Sequence, residues 1–240
     1  PVVVDKIITE VDTKDIKTFR FKFVNPEDEQ KYAYIPGQFG ELSIYGKGSL
    51  IRKMPGDDWQ KFANLRLLLT YMYMHPGKKL LFMGVEMGQW SEWEHEQSLD
   101  WHLLEFKPHA GLQHFVKDLN TFYKNAPALY EKAFSYEGFE WINFSDHQNS
   151  VIVFIRKGHD TPNDLIVACN FTQVPRKEYS SGLPRKGTLI EVFNSDKENY
   201  YGGGMGNDKP LKIEKKPYDN KPYSVEIVIP PLAAVYFSYK

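Results

Sequence analysis

Hydrophobic and polar positions change rhythm three times along this chain. Up to residue 45 they alternate. Val2, Val4 and Ile7-Ile8 outline one strand, and Phe19, Phe21 and Phe23 share one face of a second. Asn25-Pro26-Glu27-Asp28 predicts a turn, and Pro36-Gly37 introduces a third strand over residues 38–44. From residue 54 the spacing becomes helical. Asp57 and Gln60 stand three apart, as in a capping box, ahead of the stripe Trp59, Phe62-Ala63, Leu65, Leu67 and Thr70 that Pro76-Gly77 stops. Lys79-Leu80-Leu81-Phe82-Met83-Gly84 then predicts a short, fully buried strand of a parallel sheet. Leu112, Phe115-Val116, Leu119 and Phe122-Tyr123 give an amphipathic helix, followed by a helical turn at Ala126-Pro127-Ala128-Leu129-Tyr130.

After residue 135 the period returns to two. Strand-like runs at 139–144, 151–156, 165–171, 188–193, 224–229 and 233–239 are separated by turn signals, as in a sandwich. The expected fold is mixed α and β. A short amino-terminal β segment (1–45) precedes the incomplete end of a (β/α)₈ barrel (46–135) and an all-β sandwich domain (136–240). Helix, buried strand and polar-aromatic loop in succession is the barrel rhythm, and barrel sites lie at the C-terminal ends of the strands. With most of a barrel missing, the apolar faces of residues 65–74 and 112–123 would be exposed and favour self-association.

Composition narrows the classes. The hydrophobic share of 42% and charged share of 25% are those of a globular protein, and a net charge of −1 gives no pull toward nucleic acid or an anionic membrane surface. One cysteine, Cys169, excludes an internal disulfide; it sits in the apolar run Leu165-Ile166-Val167-Ala168-Cys169 and fits a buried core position in a reducing, cytoplasmic setting. The longest apolar stretch, over residues 65–74, is interrupted by Arg66 and Thr70 and is too short to span a bilayer. Asn143-Phe144-Ser145 and Asn170-Phe171-Thr172 match the glycosylation pattern by chance at strand ends.

Candidate chemistry concentrates in the loop after residue 84. Residues 85–96 hold four glutamates and two tryptophans. Glutamates can hydrogen-bond sugar hydroxyls and tryptophans can stack on pyranose faces; the competing reading is a solvated acidic loop with tryptophans tucked beneath it. The candidate substrate contacts are Glu86, Gln89, Trp90, Glu92, Trp93, Asp100 and Trp101. His95 between Glu94 and Glu96 lacks the spacing of a metal site, and Ser98, Asp100 and His102 are too close in sequence for a triad. Tyr200-Tyr201-Gly202-Gly203-Gly204-Met205-Gly206-Asn207 reads as a loop, because no strand–turn–helix context surrounds it. No cofactor and no metal is expected.

Two resemblances follow. Gly46-Lys47-Gly48-Ser49-Leu50-Ile51, Lys53-Met54-Pro55-Gly56-Asp57-Asp58-Trp59-Gln60, His75-Pro76-Gly77-Lys78-Lys79-Leu80-Leu81-Phe82-Met83-Gly84 and Ser98-Leu99-Asp100-Trp101-His102-Leu103-Leu104 resemble bacterial 1,4-α-glucan (glycogen) branching enzymes of the α-amylase clan. The likeness runs over most of residues 46–240, with Pro230-Pro231-Leu232-Ala233-Ala234 entering the last strand as in that clan's carboxy-terminal all-β domain; Val85 stands where many relatives carry Asn. It implies transfer of an α-1,4-glucan segment to a 6-hydroxyl, with α-glucan as the partner. It also implies that the clan's catalytic carboxylates are absent here, because a Ser-His-Asp-Glu string before the Gly-Lys-Gly match is replaced by Glu41-Leu42-Ser43-Ile44-Tyr45. Activity of the polypeptide alone is therefore not expected, and a non-catalytic glucan-binding module is the alternative.

The second resemblance covers residues 1–48. Asp15-Ile16-Lys17-Thr18-Phe19-Arg20-Phe21 and Tyr34-Ile35-Pro36-Gly37-Gln38-Phe39 resemble the start of a ferredoxin–NADP reductase-type flavin-binding barrel, of the sulfhydrogenase gamma-subunit-like branch. The flavin-holding motif of that family is replaced by Ser49-Leu50-Ile51-Arg52-Lys53 and its nucleotide-binding half is missing, so FAD binding is not expected and a redox module is the remotest alternative.

Overall fold

The computed structural model describes the backbone of Val2–Thr9 and Lys17–Phe23, and residues 48–92 and 94–240 with their side chains. The chain divides into two compact units, Pro1–Phe39 and Gly40–Lys240. In the first, β1 (Val2–Thr9) and β2 (Lys17–Phe23) pair antiparallel, Val2 opposite Phe23 and Thr9 opposite Lys17, with a bulge between Val4 and Lys6. The expected third strand over 38–44, the turns at 25–28 and 36–37, and Tyr45 to Lys47 at the joint lie outside the described residues.

The larger unit is a mixed α and β fold, an unclosed barrel-like region followed by an all-β sandwich. Helix α1 (Asp58–Met74) begins as its sequence dictates: the Asp57 carboxylate accepts from Gln60 N at 2.9 Å, and Gln60 Oε1 accepts from Asp57 N at 2.9 Å. Its buried residues include the consecutive Leu65, Arg66 and Leu67, so it is covered on several sides rather than along one stripe. Helix α2 (Lys107–Asn125) is one-sided, burying Leu112, Phe115, Val116 and Leu119 at helical spacing.

Eight strands follow. β3 (Phe139–Asp146), β4 (Val151–Arg156), β5 (Leu165–Asn170), β10 (Ala233–Tyr239), β7 (Thr188–Asn194) and β8 (Leu211–Lys212) form one antiparallel sheet in that order; β6 (Arg176–Leu183) and β9 (Tyr223–Ile229) pair separately. The six-stranded sheet is a middle layer. Phe154, Val167, Cys169, Phe193, Ala234 and Tyr236 face the two helices, while Val153, Ile155, Ile166, Ala168, Val235 and Phe237 face β6 and β9. With both faces covered, β5 is buried at every position and reads as a continuous apolar run.

Two expectations are corrected. The apolar faces of residues 65–74 and 112–123 are not exposed: Leu65, Met74, Leu112, Phe115 and Leu119 are fully buried, because the sheet's helix-facing side supplies the surface that a complete barrel would otherwise offer. The run Lys79 to Gly84 forms no strand. No described strand pairs with it, and a strand without a ladder partner leaves its backbone groups unmet. Leu80 is 75% exposed and Phe82 47%.

Candidate functional site

The loop after residue 84 is built on two left-handed glycines. Gly84 (φ +82°) and Gly88 (φ +66°) bracket a single 3₁₀ turn, Val85–Met87. A Cβ on Gly88 would lie 3.0 to 3.2 Å from Leu112, Ile51 and Phe62, so this turn sits tight against both helices. Gln89 N donates to Gly84 O, and the buried Gln89 side chain accepts from Asp100 N at 3.0 Å through Oε1. One amide thus ties the start of the loop to its far end.

Trp90 is fixed by three contacts. Its carbonyl accepts from Ser49 Oγ at 3.1 Å, its ring lies edge-on to Phe62 at 6.1 Å, and its indole N–H donates to His109 Nε2 at 3.1 Å. His109 Nδ1 is 2.7 Å from Met87 O; a carbonyl only accepts, so the proton is on Nδ1 and Nε2 is the acceptor. Lys61 Nζ stands 5.5 Å from the Trp90 ring. Half-buried and with its N–H engaged, Trp90 holds the loop down.

A cleft of about 300 Å³ opens beside this loop. One wall is Gly48, Ser49, Leu50 and Ile51; the other is Leu80, Phe82, Met83 and Gly84, with Gln89, Ser91 and Glu92 along the rim. Of the seven residues expected at a site, Gln89 and Glu92 line it. Glu86, Trp90, Asp100 and Trp101 do not, and Trp93 lies outside the described residues. Trp101 is 52% exposed at the start of the 3₁₀ turn Trp101–Glu105. Leu80, Phe82 and Met83 were missed as lining because their apolar run signalled a buried strand; they are exposed, while Leu81 between them packs against the core. Among the described residues no group of three or more His, Cys, Asp or Glu is placed to hold a metal ion.

The Gly-rich loop is structural. The buried Asp196 carboxylate accepts from Gly203 N at 2.8 Å and Met205 N at 3.3 Å. Arg66 reaches it from α1, donating to Ser195 O at 2.8 Å and Tyr200 O at 3.1 Å; burial lowers the guanidinium to about 10 against the attraction of Asp196. Asn170 is fully buried, donating to Val174 O and Pro230 O, which fits its glycosylation pattern being accidental. Among the described residues no helix is long and apolar enough to cross a membrane.

Comparison with known proteins places this geometry. Residues 141–240, which hold most of the sandwich, match the family described as alpha amylase, C-terminal all-beta domain. More narrowly, the carboxy-terminal segment matches that of bacterial 1,4-alpha-glucan branching enzyme. It is 52% identical over 197 residues to the 1,4-alpha-glucan branching enzyme GlgB of Aquifex aeolicus (strain VF5), covering 82% of this chain and 31% of that protein. To the same enzyme of Cellvibrio japonicus (strain Ueda107) it is 53% identical over 192 residues, covering 80% and 26%. The chain therefore spans about a third or less of the length of these relatives. Among solved structures, Ttha1563 from Thermus thermophilus matches with a TM-score of 0.52 and 18% identity over 75% of this chain and 32% of that one, a likeness of fold alone. None of these matches supports the flavoreductase-type resemblance of residues 1–48.

Proposed function

We propose that residues 46–240 are the closing part of an α-1,4-glucan branching architecture, that the cleft beside residues 84–92 contacts α-glucan, and that the 240-residue polypeptide does not carry out segment transfer by itself. The observation that carries this reading is the cleft itself. It is lined by residues of two of the sequence strings that resemble branching enzymes, and it combines apolar side chains with Ser49, Ser91 and the Glu92 carboxylate. Flat apolar surface with a few directional polar groups suits a sugar ring. The domain boundaries at residues 45 and 135 are part of the same proposal.

Retaining glycosyl transfer needs a nucleophilic carboxylate and a carboxylic acid about 5–5.5 Å apart across the scissile bond. Glu86, Glu92 and Asp100 come from one loop, with no described strand facing it to supply the second group. The string Glu41-Leu42-Ser43-Ile44-Tyr45 likewise stands where the clan's Ser-His-Asp-Glu is expected. An assay of the purified chain on amylose, following iodine colour and new α-1,6 linkages, tests the reading. No branching is the expected result; sustained branching free of host enzyme overturns it. A glucan-binding role without catalysis is favoured by the exposure of Trp101. Retardation in glycogen-containing gels, lost in Trp101→Ala, is its expected signature.

A further inference from the structure

Lys79 follows the turn that ends α1, and its side chain folds back onto the helix end. Its Nζ donates to the carbonyl of His75 and stands 5.7 Å from the centre of the Tyr123 ring on α2. The residue is half-buried, whereas its neighbour Lys78 is exposed. Among the described residues no carboxylate lies within ion-pair distance of Lys79. The charge that acts on it is another cation, Arg156 from the end of β4. Arg156 Nη1 donates to Met74 O, the carbonyl just before the one that holds Lys79. Of the other titratable groups around it, His75 is buried, and Tyr73 and Tyr130 lie 5.7 and 6.2 Å from the Tyr123 ring.

An ammonium keeps its proton where water or a carboxylate stabilises the charge. Here burial removes water and Arg156 repels; the carbonyl and the ring face attract the ammonium, but neither carries a charge. Burial first, and then Arg156, lower the Lys79 amine from 10.5 to about 7. About half of it is free amine at neutral pH. A lysine that is desolvated and placed next to another cation is an activated nucleophile toward carbonyl carbon. The surroundings also select the reagent. A half-buried amine admits a small electrophile, and a place that disfavours charge suits an uncharged one that gives an uncharged product. An aldehyde meets both conditions, because its imine with an amine is neutral.

We propose that the Lys79 side chain, held between the His75 carbonyl and the Tyr123 ring beside Arg156, is a covalent attachment site for small hydroxyaldehydes. The Nζ lone pair attacks the aldehyde carbon, both amine protons leave with the carbonyl oxygen as water, and a C=N bond remains; nothing is oxidised or reduced. The proposal does not depend on the glucan reading of the cleft at residues 84–92. To test it, the whole 240-residue protein is treated with limiting glycolaldehyde, the imine is trapped with cyanoborohydride, and the labelled lysines are identified by peptide mass mapping. At about pH 7 Lys79 is labelled about tenfold faster than exposed Lys78. At about pH 10 the exposed amines are also free and the preference disappears. Lys79→Arg removes the fast fraction of label and leaves the slow fraction unchanged. Labelling of Lys79 no faster than Lys78 at about pH 7, or a preference that persists undiminished at about pH 10, overturns the proposal. Both readings come from the parent protein, so the proposal can fail even where the variant does not fold.

Discussion

The Arg156 guanidinium, from the end of β4, donates through Nη1 to the carbonyl of Met74, the last residue of α1. The same side chain donates to Gly138 O at 3.1 Å and Leu129 O at 3.3 Å and is fully buried, so one sheet residue closes three chain ends on the helical side. Burial lowers its pKa to about 10, yet it remains charged at neutral pH. Arg156→Met leaves three carbonyls without these donors, and each such loss costs about 1–3 kcal/mol. Urea denaturation is expected to show destabilisation of at least about 3 kcal/mol, and an unchanged midpoint refutes the role.

The two tryptophans at residues 90 and 101 are expected to separate cleanly. Trp90→Phe loses the hydrogen bond to His109 and part of the packing on Phe62, and lowers stability by about 1–2 kcal/mol. Trp101→Ala, at an exposed position, stays within about 0.5 kcal/mol of the parent and instead changes migration in glycogen gels. A destabilised Trp101→Ala of parental glycogen mobility contradicts both assignments.

Gly202 admits no side chain. A Cβ there would lie 2.2 Å from Asp196 O, a backbone atom held within the loop that Arg66 supports. Gly202→Ala is expected to destabilise the protein by about 1–3 kcal/mol, measured as a lower thermal midpoint.

His75 carries a pH dependence. It is buried among Tyr71, Phe139 and Phe154, and burial, followed by the charges of Arg156 and Lys79, lowers its pKa from 6.5 to about 4. Between those values the unfolded chain binds more protons than the folded one. Stability therefore falls as pH drops from 6.5 toward 4 and is insensitive to this group above 6.5. His75→Phe is expected to flatten that segment of a stability–pH curve, and an identical slope in the variant disproves the assignment.

The sequence made the strong elements legible. The capping pair Asp57 and Gln60, the spacing of Leu112, Phe115 and Leu119, and the apolar runs of β4, β5 and β10 each carry a local signal that tertiary packing reinforces. β6 escaped notice because Arg176, Lys177 and Glu178 mask a strand whose buried part is Tyr179 and residues 181–183. β8, two residues long, has no pattern to show. At the candidate site composition singled out the loop after residue 84, and of its seven candidate residues the cleft beside that loop takes Gln89 and Glu92. Leu80, Phe82 and Met83 line the cleft while Leu81 packs on the core, and Trp90 lies inside the packing because His109, nineteen positions later, takes its N–H. Both are long-range facts that no local period encodes.

The middle position of the six-stranded sheet sets what can be inherited or cut as one piece. Residues 141–240 form a recognisable family segment, yet that stretch alone would turn Phe154, Val167, Phe193 and Tyr236 toward water. An amide exchange experiment should find α1, α2 and the central strands opening together, with the slowest protons on both sides of residue 135.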